Sequence, residues 1–249
     1  LSLAAWAQKP ANPNASTEAK ALLKTIYELQ GKTCLSGQHN YPLMSDTYTE
    51  RVRNLTGKYP VVMGQDFGYS EPNSLDGINF RQRAIDNCIK WHSQGAIITL
   101  MWHAVPPTTR ANFTIWKGEN GIQSRLTDKQ WKDLLTDGTE INSTWKSQVD
   151  VIAFYLKQLQ DLSIPVIFRP YHEMNGDWFW WGRKHLPDKE FIKLFRYTVD
   201  YLHDEKGIKS FAYSYSPNGF FESEEVYMRR YPGDEYIDLL GMDIYRDHP

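Results

Sequence analysis

Between Arg169 and Gly182 the sequence reads RPYHEMNGDWFWWG. A carboxyl, an imidazole, a guanidinium and a run of four aromatic residues within fourteen positions make this the stretch best equipped for chemistry. Rings that exclude water raise a carboxyl pKa, which suits Glu173 to act as a general acid near neutral pH. Arg169, four residues earlier, is placed to hold a second carboxylate in its ionised form. The flat faces of Trp178, Phe179, Trp180 and Trp181 suit the apolar faces of sugar rings. Carboxyl, cation and aromatic floor together describe glycoside hydrolysis. There one carboxylic acid protonates the leaving oxygen, and a second attacks the anomeric carbon or activates water. On residue types alone, a structural ion pair between Glu173 and Arg169 is the competing interpretation.

Such groups need a scaffold that gathers distant parts of the chain. Short apolar runs alternate with longer amphipathic segments throughout. Strands are expected over 32–39, 59–67, 95–103, 164–169, 210–216 and 237–245. The third, GAIITLMWH, is the continuous apolar run that a strand covered on both faces requires. Helices are expected over 46–55 before Gly57, 80–94 before Gly95, 142–162, 188–205 before Gly207, and near 224–231. Thr127 to Gln130 forms a capping box for one more. Repeated strand–helix steps fit a parallel barrel or an open doubly wound sheet. No Gly-rich phosphate turn follows any strand, which argues against an open nucleotide-binding sheet. Polar residues instead gather after the strands: His39, Asp66, His103, His172 with Glu173, and Asp243 with Tyr245. A (β/α)8 TIM barrel keeps its active site at that rim, and this α/β fold is the expectation. Six strands fall short of eight. The expected organisation is therefore one catalytic barrel domain over residues 8–249 that contains strands one to six and is incomplete at its C-terminal end.

Composition narrows the partners. The chain has 249 residues, enough for one large domain, and 28 basic against 30 acidic residues. That balance gives no reason to expect nucleic acid or an anionic membrane. Its longest apolar run, Ala96 to Trp102, is too short to span a bilayer. Nine Trp and fifteen Tyr exceed what a core needs and favour a ligand with apolar faces edged by hydroxyls. LSLAAWAQ, with Ala5-Trp6-Ala7 in the small-x-small form of a cleavage site, reads as a signal-peptide remnant over residues 1–7, so a secreted or periplasmic location is expected. Cys34 and Cys88 are expected as buried thiols rather than a disulfide. Asn-x-Ser/Thr sequons stand at Asn14, Asn54, Asn112 and Asn142.

RPYHEMNGDWFWWG resembles the strand-four signature of glycoside hydrolase family 26, the β-mannanase family within the (β/α)8 retaining clan. TLMWH at strand three, SYSPN at strand five and GMDIY at strand six are similar to their counterparts, so the resemblance spans roughly residues 20 to 245. It implies retaining hydrolysis of internal β-1,4-mannosidic bonds in mannan, galactomannan or glucomannan, with no cofactor, no metal and a polysaccharide as the partner. It assigns Glu173 as acid/base, with His172 orienting it and contacting substrate. Arg169 is implied to bond the nucleophile, helped by the Tyr245 hydroxyl. Trp178 is implied to line the reacting subsite and His103 to contact the adjacent sugar. Trp102, Asp66 and Asp243 are further substrate-binding candidates, while Trp180 and Trp181 are as suited to scaffolding as to contact.

The family's nucleophile belongs at the end of a seventh strand, and no Glu follows Tyr245. Glu222, Glu224 and Glu225 fall in or beside a helical stretch, away from the rim. The nucleophile is therefore expected beyond residue 249. Two rival functions are a non-catalytic glycan-binding protein with the same cleft and a retaining β-glucanase or xylanase of the same fold. A third, a zinc hydrolase using His39, Asp66, His103, His172 and Asp243, lacks any closely spaced ligand pair.

Overall fold

The structure, a computed structural model, describes residues 9–41, 43–68, 78–109, 117–118 and 120–245. The expected signal remnant and the Asn112 sequon lie outside the described residues. Six parallel strands follow one another in sequence and in space: β1 (Gly37–Asn40), β2 (Val62–Asp66), β3 (Ile97–Trp102), β4 (Val166–Pro170), β5 (Phe211–Tyr215) and β6 (Leu239–Leu240). Helix α1 (Thr17–Leu29) precedes them. The crossovers carry α2 (Thr47–Thr56), α3 (Ile78–His92), α4 (Asp128–Leu134), α5 (Glu140–Asp161), α6 (Asp188–Asp200) and α7 (Glu224–Met228). A doubly wound sheet reverses its strand order at a switch point. This order never reverses, so the strands form six consecutive steps of a (β/α)8 barrel.

Side-chain alternation sorts the two faces of the sheet. In β3, Ile98, Leu100 and Trp102 are buried, whereas Ile97, Thr99 and Met101 are half-buried. In β4, Val166 and Phe168 are buried, and Ile167 and Arg169 are half-buried. Met101 and Arg169 are register partners and share the inner face. The buried set packs under helices whose own stripes recur every three or four residues: Trp145, Val149, Ile152, Leu156 and Leu159 in α5, and Phe191, Leu194, Phe195 and Thr198 in α6. The Thr127 capping box forms as expected, and Gly57, Gly95 and Gly207 take the left-handed conformation that ends a helix.

Several expectations need correction. Helix α1 had no counterpart in the pattern reading, although Ser16 caps it by accepting the Ala19 N–H. Its buried stripe of Ala19, Leu22 and Leu23 is too narrow to stand out. β1 begins at Gly37 rather than at 32, because only there does it meet Val62 of β2. β6 shrinks to two residues plus a bridge between Asn218 and Asp243. Residues 201–205 wind as a π-helical turn instead of extending α6. Both cysteines are free, but only Cys88 is buried; Cys34 is exposed ahead of β1. Asn142 is buried, donating to the Leu134 carbonyl and the Tyr197 hydroxyl, so its sequon is closed to glycan in the fold.

The connection from β4 to α6 carries the aromatic run, and one side chain holds it down. Arg230 is fully buried, with its guanidinium 5.1 Å from the Phe191 ring centre. It donates to Asp188 at 2.7 Å, to the Met174 carbonyl at 2.6 Å, to the Trp181 carbonyl at 3.2 Å and to the Leu186 carbonyl. Only arginine offers so many donors in a fixed plane. Arg230→Met keeps the packing but leaves those acceptors unpaired. Each buried orphan costs about 1–3 kcal/mol, so a total loss of at least about 3 kcal/mol is expected. Thermal unfolding followed by circular dichroism should show a drop of roughly 6–12 °C; an unchanged midpoint would remove Arg230 from this role.

Candidate active site

After β4 the backbone turns sharply. Tyr171 (φ 52°) and Glu173 (φ 54°) both occupy the left-handed region, a conformation that costs a residue with a Cβ on the order of 1 kcal/mol or more. Surrounding bonds hold it. The buried Tyr171 hydroxyl lies 3.2 Å from Thr198 Oγ1 and 3.3 Å from the Trp145 indole nitrogen, which donates to it. The Glu173 N–H donates to the Ser216 carbonyl at 2.7 Å. The turn buries Tyr171 among the helices and sends His172 and Glu173 to the cleft.

Glu173 is almost buried, and both its oxygens are engaged. Oε2 accepts the Trp178 indole N–H at 2.9 Å, and Oε1 accepts the Asn218 amide at 3.2 Å. Asn218 is itself locked to Asn175 by two reciprocal bonds of 2.7 Å. Tyr245 lines the cleft beside Glu173. Although 78% of Tyr245 is exposed, partial burial of its hydroxyl and then the Glu173 carboxylate push it up to about 12, so it stays protonated. Trp178 can lie in place because Gly176 has no side chain; a Cβ there would sit 2.5 Å from the indole.

The remaining aromatics divide by role. Phe179 stacks on Trp181 with centres 4.4 Å apart and shows its edge to His103 and His172 in the cleft wall. Trp180 and Trp181 are fully buried, donating to the carbonyls of Ala104 and His172. Both are scaffold. Trp102 is a correction as well. It points from β3 into the sheet–helix core, 5.8 Å from the Tyr171 ring, and does not reach the cleft.

Asp66, at the end of β2, is completely buried and also presents no surface to a ligand. Its Oδ2 lies 2.7 Å from His103 Nδ1. Burial opposes its ionisation, yet the charge and hydrogen bond of His103, with His39 and the Gly68 N–H, outweigh that and hold its carboxyl below the usual value. His103 is thus fixed with Nδ1 toward Asp66, its ring edge-on to His172 at 4.5 Å. Burial, then the neighbouring His103, Arg169 and His39, hold the His172 imidazole far below its ordinary value, so it is neutral. On the inner face Arg169 donates to Ser216 Oγ at 3.0 Å and to both oxygens of Asp243 at 2.5 and 2.7 Å. Burial raises the Asp243 carboxyl against the pull of Arg169, and Glu173 adds to the rise. Arg169 therefore has Asp243 as a carboxylate partner among the described residues.

These groups surround a cleft of about 400 Å³ lined by Tyr41, Met101, His103, Gln123, His172, Glu173, Trp178, Phe179 and Tyr245. A larger cavity of about 550 Å³ lies along α2 among Met44, Asp46, Glu50 and Leu55, but only the smaller one gathers residues from four strand ends. Among the described residues no three His, Cys, Asp or Glu side chains converge as metal ligands would. Sequence reasoning missed Asn218, Tyr41 and Gln123. Asn218 had a signal, since it closes SYSPN just after β5; nothing in the sequence marked Gln123.

The family model for glycosyl hydrolase family 26 matches residues 11–248. A mannan endo-1,4-β-mannosidase from Bifidobacterium adolescentis is 34% identical over 245 residues, covering 93% of this chain and 23% of that protein. One from Bacillus subtilis is 27% identical over 251 residues, covering 95% of this chain and 66% of the relative. The chain thus spans about a quarter and just under two thirds of these relatives. The solved structure of GH26A from Muricauda sp. superposes with a TM-score of 0.84 at 36% identity, covering 94% of this chain and 75% of that one. With the family's sequence signature over nearly its whole length and the family's barrel in its strands, this chain belongs to glycosyl hydrolase family 26.

Proposed function

We propose that this cleft hydrolyses internal β-1,4-mannosidic bonds of mannan, galactomannan or glucomannan by a retaining double displacement. The observation that carries the reading is Glu173, a rim carboxyl held by an indole and an amide beside a cleft walled with aromatic rings. Glu173 gives its proton to the leaving sugar oxygen and later takes one from the incoming water. Trp178 fixes the carboxyl and offers its ring, 36% exposed, to the reacting sugar. His172, neutral, bonds sugar hydroxyls without adding charge. His103 turns its Nε2 side to the neighbouring sugar because Asp66 holds Nδ1.

The second carboxylate has a place reserved by charge. Among the described residues Asp66 is sealed beneath His103, and Asp243 is committed to Arg169. Arg169 uses its Nε and one terminal nitrogen in those contacts. Its other terminal nitrogen is the donor that would keep a nucleophile ionised, about 5–5.5 Å from Glu173. The nucleophile is accordingly assigned to a carboxylate outside the described residues.

The full-length protein should turn over mannan and galactomannan well above lichenan or β-xylan; strong activity on lichenan with none on mannan would overturn the substrate. Glu173→Ala should cut polysaccharide turnover by about 10²–10⁴-fold, while substrates with activated leaving groups lose far less. Equal losses on both would assign Glu173 a structural role. A 2-deoxy-2-fluoro mannoside should leave a covalent sugar on a single Glu peptide; an adduct on Asp66 or Asp243 would overturn the assignment of the nucleophile.

A further inference from the structure

Tyr41, one residue past the end of β1, lines the same cleft as Glu173 and Trp178, yet neither the motif nor the acid/base machinery uses it. It is 42% exposed, and its ring is set from two sides. His39 meets it edge-on at 5.4 Å and 80°, and Tyr48 of α2 meets it at 6.2 Å and 78°. The His39 prop is itself located by packing. Its register partner on β2 is Gly64, where a Cβ would stand 2.9 Å from His39 Nδ1. Only a residue without a side chain leaves room for that imidazole, so the prop beneath Tyr41 is built in rather than incidental.

β1 and β4 are separated by β2 and β3. Three strand spacings amount to about 14 Å. Measured along the curved barrel wall, that sets the end of β1 apart from the end of β4, which Glu173 follows. An oriented phenol with a hydroxyl edge and an apolar face in the cleft wall matches the C–H face of a further sugar.

We infer that Tyr41 is the stacking platform of an additional sugar subsite, remote from the bond that is cleaved and occupied by another pyranose of the same polysaccharide. This rests on the β-1,4-mannan reading of the cleft. Binding energy from a remote sugar is available to hold the chain and to help distort the reacting ring. Tyr41 thereby favours long substrates over short ones.

The test uses the full-length enzyme with Tyr41→Ala and Tyr41→Phe on a ladder of manno-oligosaccharides. Tyr41→Ala should lower kcat/KM by about tenfold once the oligosaccharide is long enough to span the cleft, with a smaller loss on the shortest cleavable one. Tyr41→Phe, which keeps the ring, should restore most of the long-substrate rate. A loss of equal size at every length, or no loss at any length, overturns the subsite. If the wild-type enzyme cuts no manno-oligosaccharide, the mannan reading fails instead. The same ladder built from gluco- or xylo-oligosaccharides, whichever the enzyme cuts, then decides Tyr41 by the same length dependence.

Discussion

Buried backbone must have partners, and the segment from Tyr171 to Pro187 obeys that constraint without regular secondary structure of its own. Its carbonyls at Met174, Trp181 and Leu186 converge on the Arg230 guanidinium. Indoles supply the rest of the frame: Trp181 donates to His172 and Trp180 reaches Ala104 on the neighbouring crossover. The aromatic run is therefore mostly a way of satisfying and covering a buried loop. Only after that is done can Trp178 stand at the surface and Glu173 adopt a left-handed backbone that a freer loop would relax.

The same economy of charge organises the cleft. Two carboxylates, Asp66 and Asp243, are tied to His103 and Arg169 and serve to fix them. The third, Glu173, is bonded among the described residues by groups that carry no full charge, an indole and an amide. That leaves it able to change protonation without breaking an ion pair, as an acid/base must. His39 and His172 are kept neutral first by desolvation and then by His103 and Arg169 beside them, with Asp66 opposing this at His39.

Much of this was legible beforehand, for reasons that can be named. Strand–helix alternation, the glycines that end helices and the Thr127 capping box are local signals, and they placed most elements to within a few residues. Polar residues at strand ends located the rim, because in a parallel barrel every strand points the same way. His103, Arg169, His172, Glu173, Trp178, Asp243 and Tyr245 all meet there. The failures were equally physical. Trp102 and Met101 are adjacent on β3, and a strand turns neighbours to opposite faces, so Met101 lines the cleft while Trp102 enters the core. Asp66 was assigned to substrate although it lies beneath His103.

By itself, the sequence determined the fold class, the sequential parallel order of the strands and the residue types available for acid/base chemistry, because hydrophobic period and motif spacing are properties of the chain. Tertiary structure alone decided which partner each polar group took. Asp243 on Arg169, Asn218 on Glu173, and Tyr41 propped on His39 all join residues far apart in sequence or set by a neighbouring strand. Hydrogen bonds and ion pairs act over a few ångströms, so pairings of this kind exist only once the sheet has brought the strand ends together.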